Sequence, residues 1–278
     1  MEKILENLKK YFKSRDDISM AFLFGSYARG QETGESDVDI AIYFKPQGRE
    51  LEWEEVDKDY TAEDEVWGDI EKIIGKNTDL LILNRAPASI CYAAIEKGRD
   101  IIIKDNTLFW NYYLVISREA QDFFQTVREF KEIKDRSQSL NEIDRIQLIR
   151  IIDFLENELK EYDNFINLNQ KDYTTISANR RNVERWIENI VNASIDVGKV
   201  ILASEKKQIP QTYREILEKL SIIKNFNKKT AQELASFVKL RNVLAHEYLD
   251  MRFAKIKKFI DSSRGLYEEL INFAKKIV

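Results

Sequence analysis

Residues 24–44, FGSYARGQETGESDVDIAIYF, concentrate the first candidate chemistry of this chain. Gly25-Ser26 closes one apolar run, and after ten intervening residues Asp37 and Asp39 stand two apart at the start of a second. Residues two apart in a strand leave the same face. Paired carboxylates against apolar neighbours cost stability unless a cation joins them. Oxygen-only ligands of this kind suit Mg²⁺. Asp79 opens a later apolar run, TDLLIL, where it can meet the pair across a sheet. Three carboxylates can hold two metal ions ~3.5–4 Å apart, which stabilises both ends of an in-line phosphoryl displacement. Gly25 permits a tight turn, and Ser26 begins a short helix whose N–H groups favour a phosphate. Arg29, about one turn on, can reach the same anion.

A second candidate surrounds the only histidine, in ASFVKLRNVLAHEYLD, residues 235–250. On a helix Arg241 and Tyr248 share a face, and Asn242 and His246 are neighbours. Arg241 and His246 diverge by roughly 140°. They converge only if the helix bends or a second chain contributes.

The elements that must position these residues fall into two halves. Residues 19–25, 37–44, 78–83 and 99–104 read as strands, with helices at 1–17, at roughly 50–75 and at 87–98. After residue 105 only helical patterns remain: 106–130, 144–162, about 176–205, a short helix after Pro210, 228–247 and 252–276. In the segment 144–162, Ile146, Ile149, Leu155 and Leu159 recur at helical spacing. The expected organisation is a domain over 1–105, a connecting helix over 106–139 and a helical domain over 140–278. Residues 1–105 carry 15 basic and 23 acidic residues, net −8, leaving 29 basic and 25 acidic beyond, net +4. A basic half attracts anionic polymers. One cysteine, Cys91, excludes a disulfide framework and a cysteine zinc cluster. No run approaches the ~18 apolar residues of a membrane span, and the charged amphipathic N-terminus is not a signal peptide. A cytoplasmic location is the expectation.

The pattern G25-S26, ten residues, D37-V38-D39 and D79 resembles the nucleotidyltransferase family that includes DNA polymerase beta, most closely its minimal nucleotidyltransferase branch. The resemblance covers residues 19–83. It implies an α/β fold, a mixed sheet backed by helices, and transfer of a nucleoside monophosphate from an NTP, with Mg²⁺. It implies that Asp37 and Asp39 bind both metals, and that Asp79 binds one and helps deprotonate the attacking hydroxyl. Gly25, Ser26 and Arg29 would bind the nucleotide, with Ser26 on the β/γ-phosphates. The stretch R241-N-V-L-A-H246-E-Y248 resembles the R-x-x-x-x-H-x-Y motif of the higher-eukaryote-and-prokaryote nucleotide-binding (HEPN) superfamily, and the resemblance covers residues 140–278. It implies an all-α helical bundle that dimerises and brings two Arg/His pairs into one cleft, in many members a metal-independent ribonuclease. His246 would then handle the proton and Arg241 would stabilise the phosphate. Asn242 has a weaker role, and Tyr248 would contact RNA or be modified.

Together the two halves resemble the HEPN–nucleotidyltransferase toxin–antitoxin pair, in which the transferase moves AMP from ATP onto the tyrosine of that motif and silences the nuclease. The acceptor here would be Tyr248. The partners of the resemblance are separate polypeptides, whereas this chain fuses them, which fixes their stoichiometry. The expected partners are therefore ATP, RNA and a second copy of the chain, with no membrane. The alternative is a small-molecule nucleotidyltransferase of the aminoglycoside type, whose helical half completes a substrate site. The acidic segment ELEWEEVDKDYTAEDE, 50–65, would then supply carboxylates to the cleft. A non-catalytic nucleotide-binding protein is a third reading.

Overall fold

The computed structural model describes residues 2–34, 36–48, 51–53, 58–136, 139–246 and 253–278. The chain divides into two compact units, residues 1–124 and 125–278.

Among the described residues the first unit holds four strands: β1 (Ile18–Phe24), β2 (Val38–Phe44), β3 (Thr78–Ile82) and β4 (Arg99–Ile103). Their order in the sheet is β3-β2-β1-β4. β1 runs antiparallel to β2 and β4, and β2 runs parallel to β3, so the sheet is mixed. Alternation along β2 sorts the two faces. Ile40 and Ile42 join Leu8 and Phe12 of α1 (Glu2–Ser14) and Val66 and Ile70 of α3 (Glu63–Ile74) in one core layer. Ala41 and Tyr43 join Cys91 and Ala94 of α4 (Ala88–Glu96) and Tyr112 and Ile116 of α5 (Asn106–Arg136) in the other. Asp39 has the parity of Ala41 and Tyr43, so the strand directs it to the α4 side. Gly98, before β4, has no room for a side chain, since a Cβ would lie 2.0 Å from the Ala94 carbonyl oxygen and 2.9 Å from that of Leu23.

The acidic segment before β3 departs from the expected helix over roughly 50–75. The helix begins only at Glu63. At 51–53, which are not helical, the Trp53 indole N–H donates to the Ala86 carbonyl at 3.2 Å, and the Tyr43 hydroxyl donates to the Glu52 carbonyl at 2.8 Å.

Among the described residues the second unit has only helices as regular structure: the end of α5, then α6 (Glu142–Lys160), α7 (Tyr162–Phe165), α8 (Gln170–Thr175), α9 (Ser177–Ser204), α10 (Tyr213–Lys219), α11 (Lys228–His246), α12 (Phe253–Ser262) and α13 (Arg264–Ala274). From Ala193 onward α9 is buried all round except at Asp196, which makes it the centre of the bundle. Its neighbour α6 buries Leu148, Ile152, Leu155 and Leu159, while Ile146 and Ile149 face outward. The apolar residues of α6 go most of the way round, so spacing alone did not identify the inner face. The expected helix over 252–276 is two helices. They part at Ser263, which is buried with its hydroxyl donating to the Phe259 carbonyl at 2.6 Å and bonded to Tyr162 Oη at 2.5 Å. Among the described residues no helix is long and apolar enough to cross a membrane.

Candidate active site

Strand pairing brings the distant acids to one end of the sheet. In the parallel β2–β3 ladder Asp39 stands opposite Asp79, and in the antiparallel β1–β2 ladder Asp39 stands opposite Phe24. Asp37 lies just before β2 and is exposed, as is Asp79; Asp39 is half-buried between them. Phe24 leads straight into Gly25, the first residue of α2 (Gly25–Arg29). Gly25 has φ +68°, and a Cβ there would lie 1.8 Å from Asp39 Oδ2. The glycine is thus required twice, once for a left-handed backbone and once for the close approach of the carboxylate. The Ser26 backbone N–H donates to Asp39.

Burial raises the Asp39 pKa above the usual carboxylate value, and the negative charges of Asp79 and Asp37 raise it further. Arg29 and the Ser26 N–H oppose this without reversing it. Arg29 itself is exposed, its Nε donating to Gln31 Oε1 at 3.1 Å. Among the described residues none of the three carboxylates forms an ion pair. Nor do three acid, histidine or cysteine side chains close into a ready cage among those residues. The donor set still fits Mg²⁺: it offers oxygen only, and the carboxylates repel one another at Asp39, which a divalent cation would relieve.

Two further contacts brace this site, and sequence reasoning missed both. The Lys76 ammonium donates to Tyr27 Oη at 2.7 Å and lies 5.4 Å from the centre of that ring. It ties α2 to the loop before β3. The Trp67 indole N–H donates to the carbonyl of Thr78, the residue before Asp79, at 2.8 Å. Neither pair has a sequence signal, because each joins elements that only the fold makes neighbours. Three acids of the acidic segment are engaged in ion pairs: Glu52 with Lys58 at 2.5 Å, Glu63 with Arg85, and Glu65 with Arg15 at 2.5 Å.

In the helical unit α11 carries Arg241, Asn242 and His246. Arg241 Nε donates to Asn192 Oδ1 of α9 at 2.9 Å, and Arg241 Nη1 to Asn242 Oδ1 at 2.9 Å. Its guanidinium carbon lies 5.3 Å from the centre of the Tyr213 ring. Asn242 is buried. The arginine is therefore held from three sides, by Asn192, Asn242 and Tyr213, of which the sequence pointed only to Asn242. The His246 side chain and Tyr248 lie outside the described residues.

Comparison with known proteins agrees with both halves. Residues 6–107 match the family model "Polymerase beta, Nucleotidyltransferase", and residues 155–277 match "Ribonuclease HepT-like". A relative from Methanocaldococcus jannaschii, named "Putative protein adenylyltransferase MJ1379", is 35% identical over 81 residues, which are 29% of this chain and 73% of the relative. A crystal structure of a toxin-antitoxin with AMP-PNP aligns with TM-score 0.37 at 17% identity, covering 46% of this chain and 95% of that one. A mutant of the toxin-antitoxin MntA-HpeT aligns with TM-score 0.36 at 15% identity over the same shares. By the match of its first unit and the identity to its archaeal relative, the chain belongs to the polymerase beta nucleotidyltransferase family, with a ribonuclease HepT-like helical unit following the transferase domain.

Proposed function

We propose that the chain transfers AMP from ATP to a protein tyrosine, with Tyr248 of its own HepT-like unit the leading acceptor. The observation that carries this reading is the pairing of Asp39 opposite Asp79, with Asp37 two residues away. Asp37, Asp39 and Asp79 would hold Mg²⁺, which when bound neutralises the triphosphate and makes the α-phosphorus a better electrophile. Gly25 lets the backbone approach, and Ser26 and Arg29 orient the β- and γ-phosphates. Asp79 accepts the phenol proton as the tyrosine oxygen bonds to the α-phosphorus and the bond to pyrophosphate breaks. The name of the archaeal relative supports a protein acceptor.

The helical half is read as an RNA-binding ribonuclease that acts as a homodimer in the cytoplasm. Arg241 stabilises the scissile phosphate, and His246 moves the proton of the 2′-hydroxyl or the leaving oxygen. AMP on Tyr248 adds bulk and negative charge two residues from His246, and both keep RNA phosphate away. Fusion of transferase and acceptor in one chain raises their effective concentration.

The test is intact-mass and peptide analysis after incubation with ATP and MgCl₂. One or more AMP adducts on Tyr248, absent from Asp39→Asn, are expected. An unmodified Tyr248 in active protein would refute self-modification.

A further inference from the structure

Between α6 and α9 lies a cavity of about 290 Å³ that the proposed chemistry does not use. Gln147, Arg150 and Phe154 line it from α6; Asn189, Asn192 and Asp196 line it from α9. Both sets follow the same spacing, three residues and then four, so each is one stripe of its helix facing the groove. Phe154 leaves 43% of its surface exposed, although the core of the bundle is a turn away. Among the described residues the side chains of Gln147 and Arg150 have no hydrogen-bond or ion-pair partner. The Asp196 carboxylate on one wall is offset by the Arg150 guanidinium on the other, and the buried Lys199 ammonium, 2.7 Å from Asp196, is shared with Glu129.

One residue links this cavity to the candidate nuclease site. Asn192 lines the groove and also accepts the 2.9 Å bond from Arg241 Nε. We propose that the groove is a base-binding subsite for single-stranded RNA, seating the base next to the phosphate that Arg241 holds. The proposal rests on the reading of the helical unit as RNA-binding. Phe154 supplies a flat face for stacking, which accepts any base. The Gln147 carboxamide offers both donor and acceptor, while Asn189 Nδ2 donates to Glu158 Oε1 at 3.5 Å and Asn192 Oδ1 accepts from Arg241, leaving the Asn189 oxygen and the Asn192 amide nitrogen for the edge of an unpaired base. Arg150 supplies a cation for the backbone. The volume of about 290 Å³ falls just below the range for drug-sized ligand sites, roughly 300–1,000 Å³, which suits one base rather than a stretch of chain. Gln147, Arg150 and Phe154 precede residue 155, where the HepT-like match begins, so half of this subsite lies outside the matched region.

The test uses the full chain, free of nucleotide adduct by intact mass, and a fluorescein-labelled single-stranded RNA read by anisotropy. The parent should bind, and Arg241→Ala should weaken binding. Phe154→Ala should weaken it roughly tenfold or more, as loss of one stacked base predicts, and Phe154→Trp should retain affinity. Gln147→Ala and Asn189→Ala should change the ranking of oligo-A against oligo-U, which a purely structural role would not do. If Phe154→Ala binds like the parent while Arg241→Ala is weak, the subsite is wrong and the RNA reading stands. If the parent binds no RNA, both fail. If Phe154→Ala changes the sedimentation coefficient and RNA affinity falls only in step with dissociation, the groove is a contact between copies, and the proposal is overturned.

Discussion

Asp39 Oδ2 occupies the space where a side chain on Gly25 would begin, so the first residue of α2 and the acid of β2 are one packed unit. Gly25→Ala should therefore do more than remove flexibility. The new Cβ must displace the carboxylate, and the backbone must hold φ +68° with a side chain. We expect AMP transfer to fall about 100-fold or more, as misplacing a reacting group by ~1 Å does. The expected destabilisation is about 1–2 kcal/mol. Rate assays beside thermal melts distinguish the two, and unchanged transfer would show that the carboxylate position is irrelevant.

Asp39→Asn separates charge repulsion from chemistry. Burial and two neighbouring acids raise the Asp39 pKa, so its charged form destabilises the metal-free fold. For a carboxyl raised in the folded state, that destabilisation sets in as pH rises above the unfolded value. The neutral amide should raise the metal-free Tm at pH 7 and abolish transfer. Added Mg²⁺ should raise the Tm of the parent by linkage and leave that of the variant nearly unchanged. Equal Mg²⁺ responses would remove Asp39 from the metal set.

The Lys76–Tyr27 bond predicts a mild and specific effect. Tyr27→Phe removes an acceptor from a buried ring that also carries the Lys76 ammonium. A loss of about 0.5–1.5 kcal/mol in stability is expected. Because the pair ties Ser26's helix to the loop before Asp79, KM for ATP should rise more than kcat falls. A kcat loss at constant KM would contradict this role.

Lys199 makes the stability of the helical unit depend on pH at both ends. Burial alone would lower its pKa, but Asp196 and Glu129 raise it above the ordinary 10.5. Burial alone would raise the Glu129 pKa, but Lys199 and Gln125 hold it below 4.5. The depressed acid contributes stability above 4.5 that is lost as pH falls, and the raised amine contributes stability that is lost as pH climbs past 10.5. Glu129→Gln should flatten the acid-side dependence of Tm. Lys199→Met should cost little near neutrality, because the carboxylates it leaves are partly exposed and the buried cation becomes apolar. A loss of more than about 3 kcal/mol in chemical denaturation would show the ion pairs to be dominant.

Which parts of this molecule were readable beforehand follows from chain distance. The Gly-Ser and Asp-x-Asp motifs lie within 15 residues of one another, between and at the start of neighbouring strands, and Asp37, just before β2, is near enough for its charge to act on Asp39. The four strands were located to within a residue at each end for the same reason. The Lys76–Tyr27 and Arg241–Asn192 bonds each span 49 residues and obey no local spacing. Of the helix expected over roughly 50–75 the part from Glu63 to Ile74 forms, and at 51–53 the tertiary bonds of Trp53 and Glu52 replace it. In α6 the isoleucines at 146 and 149 mimic an inner face, and only packing against α9 selects Leu148, Ile152 and Leu155 instead.

The alternation of β2 has a consequence for insertions and deletions. Between Gly30 and Asp37 the chain crosses from α2 to β2, so a residue gained or lost there leaves the faces of β2 as they are. One residue inserted between Asp39 and Tyr43 would reverse the strand's parity. Either the acids would turn toward Leu8 and Phe12, or the isoleucines toward Tyr112. Length variation among descendants of this chain should therefore collect before the Asp-x-Asp motif and be absent just after it.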